Sequence, residues 1–152
     1  MRIAILGFGR EGKAVLKYLK KNKAYKNAEI SILDKNQSSD TPLPKFIKFV
    51  SGPNYLQKLS GFDLVFRSPG IPYNSPEIQA ASKAGVHFSS ATKIFFNEVP
   101  CRVIGVTGTK GKGTTSTLIY KIFKVGGYDA HLAGNIGRPA IEILPKLKKS
   151  SV

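Results

Sequence analysis

Two glycine-rich stretches carry most of the chemistry this sequence can offer, and both are of a kind that holds phosphate. The first is Gly7-Phe8-Gly9-Arg10-Glu11-Gly12, a G-x-G-x-x-G between an apolar run and a helical pattern. Glycines in such a loop allow a tight turn and let a ligand approach the backbone, and the following helix offers its N-terminus to an anion. Asp34 closes the next apolar run about 20 residues beyond Gly12, where a dinucleotide fold keeps its ribose-binding acid. The pattern points to a nucleotide more firmly than to which nucleotide, and a glycine turn serving only packing is the plainer alternative. Glu11 would repel a diphosphate, while Arg10 and Lys13 offset it.

The second stretch is Gly105-Val106-Thr107-Gly108-Thr109-Lys110-Gly111-Lys112-Gly113-Thr114-Thr115. Its backbone N–H groups can cradle phosphate oxygens, a lysine can reach the β- and γ-phosphates, and a hydroxyl can meet magnesium. It departs from the strict P-loop pattern at Val106, where glycine is required, and at Gly113, where Ser or Thr is required. Three glycines, two lysines and four threonines in residues 107–115 are nonetheless hard to explain as a turn made for packing alone. Gly108 to Thr115 are therefore the candidate ATP-binding residues. Lys112 is the candidate catalytic cation, and Thr114 the candidate magnesium hydroxyl.

Such loops need strands before them and helices after them, and the sequence supplies both. Residues 2–7 read as a buried strand, and 12–22 as a helix with Val15, Leu16 and Leu19 on one face. Strands are expected at 29–34, 46–50, 62–66 and from 86, with a loop over 35–45. A helix starts at Ser75-Pro76-Glu77, with a capping hydroxyl, a proline at the first position and an early acid, and stops at Gly85. A short helix over 92–97 leads to Pro100, where a domain boundary is placed. The alternation then restarts with a strand at 102–106, a helix over 114–125, a strand at 129–132 and a helix over 139–147. The fold class is α/β: a Rossmann-like parallel-sheet domain over 1–98, then the start of a P-loop-type ATPase domain over 99–152. Some fifty residues are too few to close a second core.

Composition narrows the class further. Cys101 is the single cysteine and there are two histidines, so neither a disulfide framework nor a Cys/His zinc site is supported. The first residues lack a signal-peptide core, and no apolar run approaches the ~18 residues of a membrane span. A cytoplasmic monomer with no membrane partner is expected. The balance of 24 Lys and Arg against nine Asp and Glu gives +15, which makes nucleic acid a partner to consider. The lysines are dispersed, however, and no aromatic-flanked RNA signature accompanies them. The densest stretch, Lys17 to Lys23, reads as the solvated face and end of a helix. His87, His131 and Cys101 carry no convincing catalytic pattern.

Taken in order, the segments Ile5-Leu6-Gly7-Phe8-Gly9-Arg10-Glu11-Gly12, Leu33-Asp34, Ser68-Pro69-Gly70-Ile71-Pro72, Val106–Lys112 and Gly134-Asn135-Ile136-Gly137 resemble the ATP-dependent Mur ligases of peptidoglycan synthesis. The resemblance implies three domains: one binding the UDP part of a substrate, a central ATPase and a C-terminal amino-acid-binding domain, the last absent here. It implies that Gly9, Arg10, Glu11, Gly12, Asp34 and Lys35 lie near the uridine. Ser68 would lie near the sugar and diphosphate, and Asn135 beside the substrate facing ATP. It implies ATP and Mg2+ as cofactors, and a carboxylate phosphorylated and then attacked by an amine. It implies UDP-N-acetylmuramoyl-L-alanine and D-glutamate as the substrates joined.

The departures are local and large. Lys110 replaces the more usual Asn, His or Ser, and Gly-Lys-Gly-Thr is closer to folylpolyglutamate synthases, which lack the N-terminal UDP-type domain. The family's second magnesium carboxylate, modified lysine and site histidine lie downstream of the Gly134–Gly137 segment. Glu142 is the only acid after Asp129. An isolated chain of this kind is expected to bind and not to ligate. Its main rival is an NAD(P)-binding oxidoreductase or regulatory domain using Gly7, Gly9, Gly12 and Asp34, which leaves the second loop unexplained.

Overall fold

The computed structural model describes residues 1–36, 43, 44 and 47–152, and the chain divides into two compact units, Met1–Lys93 and Ile94–Val152. Most of the expected 35–45 loop, and Phe46 of the expected third strand, lie outside the described residues.

In the first unit, β1 (Arg2–Leu6), β2 (Glu29–Asp34), β3 (Lys48–Ser51), β4 (Leu64–Arg67) and β5 (His87–Ser89) form one parallel sheet in the order β3-β2-β1-β4-β5. Ile3 of β1 stands beside Ile30 of β2 on one side and Leu64 of β4 on the other. A central parallel strand is covered on both faces, so it reads as an unbroken apolar run. Ile3, Ala4, Ile5 and Leu6 are accordingly fully buried.

Helix α1 (Arg10–Lys21) packs on this sheet through Ala14, Val15, Leu16 and Leu19, the stripe its sequence spacing requires. Truncating Leu19 to Ala would remove about 2–5 kcal/mol from this contact. The other face carries a core of Ala4, Leu6, Leu33, Leu59, Val65, Ile78, Ala81 and Val86. Ile78 and Ala81 come from α2 (Pro76–Lys83), which begins at the expected Ser-Pro-Glu signal and ends before Gly85. The third, fourth and fifth strands are displaced by one or two residues from their expected positions, the usual uncertainty at a strand end.

Winding changes side at β1, because β2 and β3 extend the sheet one way while β4 and β5 extend it the other. In such sheets a ligand crevice opens at the carboxyl ends of the two strands flanking the reversal. Here those ends are Leu6 of β1 and Arg67 of β4.

Helix α3 (Ala91–Glu98) runs across the division between the units, and α4 (Lys112–Val125) and α5 (Ala140–Ile143) follow. The second unit corrects the sequence reading. Residues 102–108 form neither helix nor strand, and 129–132 form no named strand. A parallel strand exists only by pairing with neighbours, and among the described residues of this unit none lies beside 102–106. Pairing in this unit is limited to an isolated parallel bridge, Ala133 with Arg138, and to Val152 on 129–131, where Val152 N donates to Asp129 O at 3.1 Å and His131 N to Val152 O at 2.8 Å. Leu118, Ile119, Ile122 and Phe123, which helical spacing puts on one side of α4, do not form a core either. No α4 residue is buried, and Leu118 and Ile122 are 58% and 61% exposed.

Candidate functional site

The crevice is built from two loops that grip one another. After β1 the chain turns at Gly7, whose φ of +88° is open to glycine and strained for other residues. A side chain there would also collide with Ser68, because an added Cβ would stand 2.9 Å from the Ser68 Cβ and Oγ. Ser68 uses that closeness: its N–H donates to Leu6 O at 2.9 Å and its hydroxyl to Gly7 O at 3.1 Å. The two segments picked out by sequence are thus one rim. Gly12 completes it, lying so near the Gly7 carbonyl that α1 can start directly over the turn.

Asp34 secures the same loop from β2. Its Oδ2 accepts the Phe8 N–H at 2.6 Å and its Oδ1 the Asn36 N–H at 2.9 Å. The acid expected to meet a ribose is therefore already holding the loop in place, with lone pairs to spare. Phe8 is buried, packs edge-on against Phe49 and lies under the Lys13 ammonium. Lys35 is exposed just beyond. Tyr55 also belongs to this end of the sheet, where burial, then the Asp34 and Glu77 charges, push its phenol up from the ordinary value and keep it neutral.

Sequence reasoning missed Arg67. Its guanidinium donates to the carbonyls of Ser68 and Ile71 and lies 5.7 Å from the Tyr73 ring centre, which pins the Ser68–Pro72 turn. The only signal was its place directly before that turn. Glu11, Gly12, Val15, Phe66, Arg67, Ser68 and Ala91 line a shallow recess here. Within it, Glu11 Oε2 is buried with no hydrogen-bond partner among the described residues. A buried acceptor without a donor is costly, so the recess suits a ligand bearing N–H or O–H groups. Gly9 and Arg10 lie on the exposed side of the helix start.

The second loop opens α4. Gly111 is the N-cap in a left-handed conformation, and Lys112 folds back so that its ammonium donates to Gly108 O and Thr109 O. Lys110, Thr114 and Thr115 are exposed, and Ser116 Oγ donates to Gly113 O at 3.1 Å. The missing hydroxyl at 113 has a neighbour that accounts for it: Ile136 Cδ1 would stand 2.3 Å from a Cβ at that position. The Gly134–Gly137 segment therefore lies against the start of α4, and Asn135, exposed, belongs to this second unit.

A further cluster joins Asp129, His131 and Ser151. The Ser151 hydroxyl, 2% exposed, donates to Asp129 Oδ2 at 2.6 Å, and His131 Nε2 lies 3.1 Å from Oδ1. Serine and histidine each bond to the carboxylate and not to each other, so no nucleophile–base pair exists. The cluster fastens residues 148–152 to 129–131. The Ser151 hydrogen bond holds the Asp129 carboxyl below its ordinary range, while burial and then Asp129 raise the nearby Cys101 thiol. Among the described residues no group of three or more His, Cys, Asp or Glu could hold a metal, and no helix is long and apolar enough to cross a membrane.

Residues 1–90 match the family model of the Mur ligase MurD-like N-terminal domain. The chain is 37% identical over 153 residues to a UDP-N-acetylmuramoylalanine--D-glutamate ligase of Acetivibrio thermocellus, covering 97% of this chain and 32% of the relative. It is 32% identical over 154 residues to the ligase of the same name from Clostridium botulinum Loch Maree, covering 97% of this chain and 33% of the relative. A solved murein peptide ligase from Psychrobacter arcticus aligns at 24% identity and a TM-score of 0.44, over 86% of this chain and 28% of that one. The chain thus spans about a third of the length of its curated relatives. With its first 90 residues matched to that domain and the turn, acid and Ser68 latch of that stretch assembled at one crevice, the chain belongs to the Mur ligase MurD-like family.

Proposed function

We propose that this chain is the UDP-substrate-binding and ATP-binding front of a ligase that joins D-glutamate to UDP-N-acetylmuramoyl-L-alanine. The observation that carries the reading is the alignment of 97% of the chain with ligases of that name, which takes in both loops. In this reading, residues 1–98 hold the UDP substrate and 99–152 open the ATPase domain. The recess at β1 and β4 takes the nucleotide end of the substrate. Glu11 Oε2 accepts from an N–H or hydroxyl of the uridine, and Ser68 and the start of α1 face the diphosphate. Arg10, Asp34 and Lys35 border the same end, and Asn135 meets the substrate from the ATP side.

The second loop does the electrostatic work of the phosphoryl transfer. Moving a γ-phosphoryl to a carboxylate brings anions together, and preorganised cations and N–H dipoles stabilise that approach. Lys112 leaves its own loop carbonyls for the β- and γ-phosphates, with Gly108 to Thr115 cradling the chain of phosphates. Thr114, exposed on the first turn of α4, is the hydroxyl placed to hold Mg2+, since Ile136 occupies the space beside residue 113. If bound there, magnesium would supply neutralisation of the phosphate charge. The amine of D-glutamate then attacks the acyl phosphate, forming the amide and releasing phosphate. These 152 residues alone bind and do not ligate.

Calorimetric titration of the 152-residue chain tests this. Saturable binding of UDP-N-acetylmuramoyl-L-alanine, reduced about tenfold by Ser68→Ala, is expected, with none for NADH. Binding of NADH without the UDP ligand overturns the reading. D-glutamate-dependent phosphate release by the chain itself overturns the statement that it does not ligate.

A further inference from the structure

Beyond the crevice, the end of α1 and the turn after it carry a run of cations with no ion-pair partner among the described residues. Lys17, Lys20, Lys21, Lys23 and Lys26 are all exposed, and residues 12–28 contain no acid. Among the described residues, none of these five lysines has an acid within ion-pair distance. Like charges three and four residues apart weaken a helix, and here they recur at 17, 20 and 21. The opposite side of α1 is fixed to the sheet by Ala14, Val15, Leu16 and Leu19, which leaves the lysines projecting from a supported face. A 3-10 turn, Lys23–Tyr25, continues the row, held by Asn22 and by Tyr18 packing on Tyr25.

The groups between the lysines decide what kind of anion fits. Asn22 Oδ1 accepts from Ala24 N and its Nδ2 donates to Tyr18 Oη, and the Tyr18 and Tyr25 rings face each other at 6.3 Å. The amide and aromatic groups that could read or stack on bases are thus engaged within the protein. No large apolar side chain is exposed along this stretch, so nothing inserts into a hydrocarbon layer. What remains is the last turn of α1, with Lys17, Lys20 and Lys21 over about 6 Å, and then Lys23 and Lys26 beyond it, a group of compact point charges that suits a surface of monovalent anions.

We infer that the Lys17–Lys26 face docks on the headgroup plane of an anionic lipid bilayer, peripherally and without insertion. The sequence expectation of no membrane partner rested on the lack of a spanning segment, and this contact requires none. It is independent of the nucleotide reading, because Arg10 and Lys13, which border the first loop, are not part of it.

The test is flotation of the 152-residue chain with vesicles of phosphatidylcholine containing about one-third phosphatidylglycerol, at ~0.1 M salt. A five-site variant, Lys17, Lys20, Lys21, Lys23 and Lys26 each to Gln, is compared with a second changing the exposed Lys48, Lys58, Lys83, Lys121 and Lys124 to Gln. Both carry the same net charge, and circular dichroism checks that each stays folded. Should the first variant fail that check, the same five sites changed to Arg must retain vesicle binding. The expected result is a loss on the order of 100-fold for the first variant and under about threefold for the second. Equal losses, or equal binding to pure phosphatidylcholine, overturn the proposal. So does a short DNA duplex that binds the unmodified chain more tightly than the vesicles do and loses its binding with the same five lysines.

Discussion

Gly12 and Gly7 approach so closely that a Cβ on Gly12 would stand 2.1 Å from the Gly7 carbonyl oxygen. The obstacle is backbone, so α1 would have to move away from the turn it caps. Gly12→Ala is expected to destabilise the first unit by about 1–3 kcal/mol despite the better helix propensity of alanine. Urea unfolding measures it, and an unchanged midpoint would contradict the close approach.

Gly113 offers the opposite case at nearly the same distance, 2.3 Å, because the obstacle is only the tip of Ile136, itself 43% exposed. Gly113→Ser should cost under about 1 kcal/mol as that side chain swings aside. Ile136→Ala in the same background should remove the remaining cost. A double-mutant cycle with no coupling between the two sites would sink the assignment.

Removing the Asp34 carboxylate strips the buried Phe8 N–H of its acceptor. Asp34→Ala is expected to cost roughly 1–3 kcal/mol in unfolding free energy, and Asp34→Asn less, since its amide oxygen can still accept. Equal losses for the two variants would show that charge and not the loop tie matters.

The Asp129 carboxyl sits below its ordinary 3.8 because Ser151 donates to it. A folded-state value below the unfolded one means stability that is present above the unfolded value and lost as pH falls through the folded one. The second unit should therefore loosen below about pH 4. In Ser151→Ala this acid-dependent loss should flatten. Following the Asp129 carboxyl by NMR in both proteins checks the direction.

Leu118, Ile122 and Val125 follow one another along α4 at helical spacing and are 58%, 61% and 91% exposed. Such a stripe binds hydrophobic dyes and promotes self-association. Changing all three to Gln should lower dye fluorescence by roughly half or more while UDP-ligand binding stays unchanged. Undiminished fluorescence would place the apolar surface elsewhere.

The first unit was legible in the sequence because β1 and α1 declare themselves locally, one by an unbroken apolar run and the other by the stripe of Val15, Leu16 and Leu19. The glycine loop and Asp34 were also found by pattern, and Ser68 by the family resemblance, and the structure brings the three together. That Asp34 serves the loop was hidden, since a partner 26 positions away leaves no mark on spacing. Arg67 on Tyr73 and Ser151 on Asp129 were hidden for the same reason. The apolar residues of 102–106 read as a strand, but a strand is a relation between segments, and composition cannot show that the neighbour is there.

In the proposed reading, Lys112, closed onto the carbonyls of Gly108 and Thr109, gives the phosphate loop a cation that is already engaged before any ligand arrives. A guest does not enter a bare cradle; it competes with two neutral oxygens for an ammonium already engaged. The exchange leaves the number of bonds nearly constant, so what drives it is valence. A polyanion draws the lysine away, whereas a hydroxylated neutral molecule of the same size has nothing to offer it. On that reading, discrimination between a nucleotide triphosphate and a sugar would rest on the resting posture of one side chain.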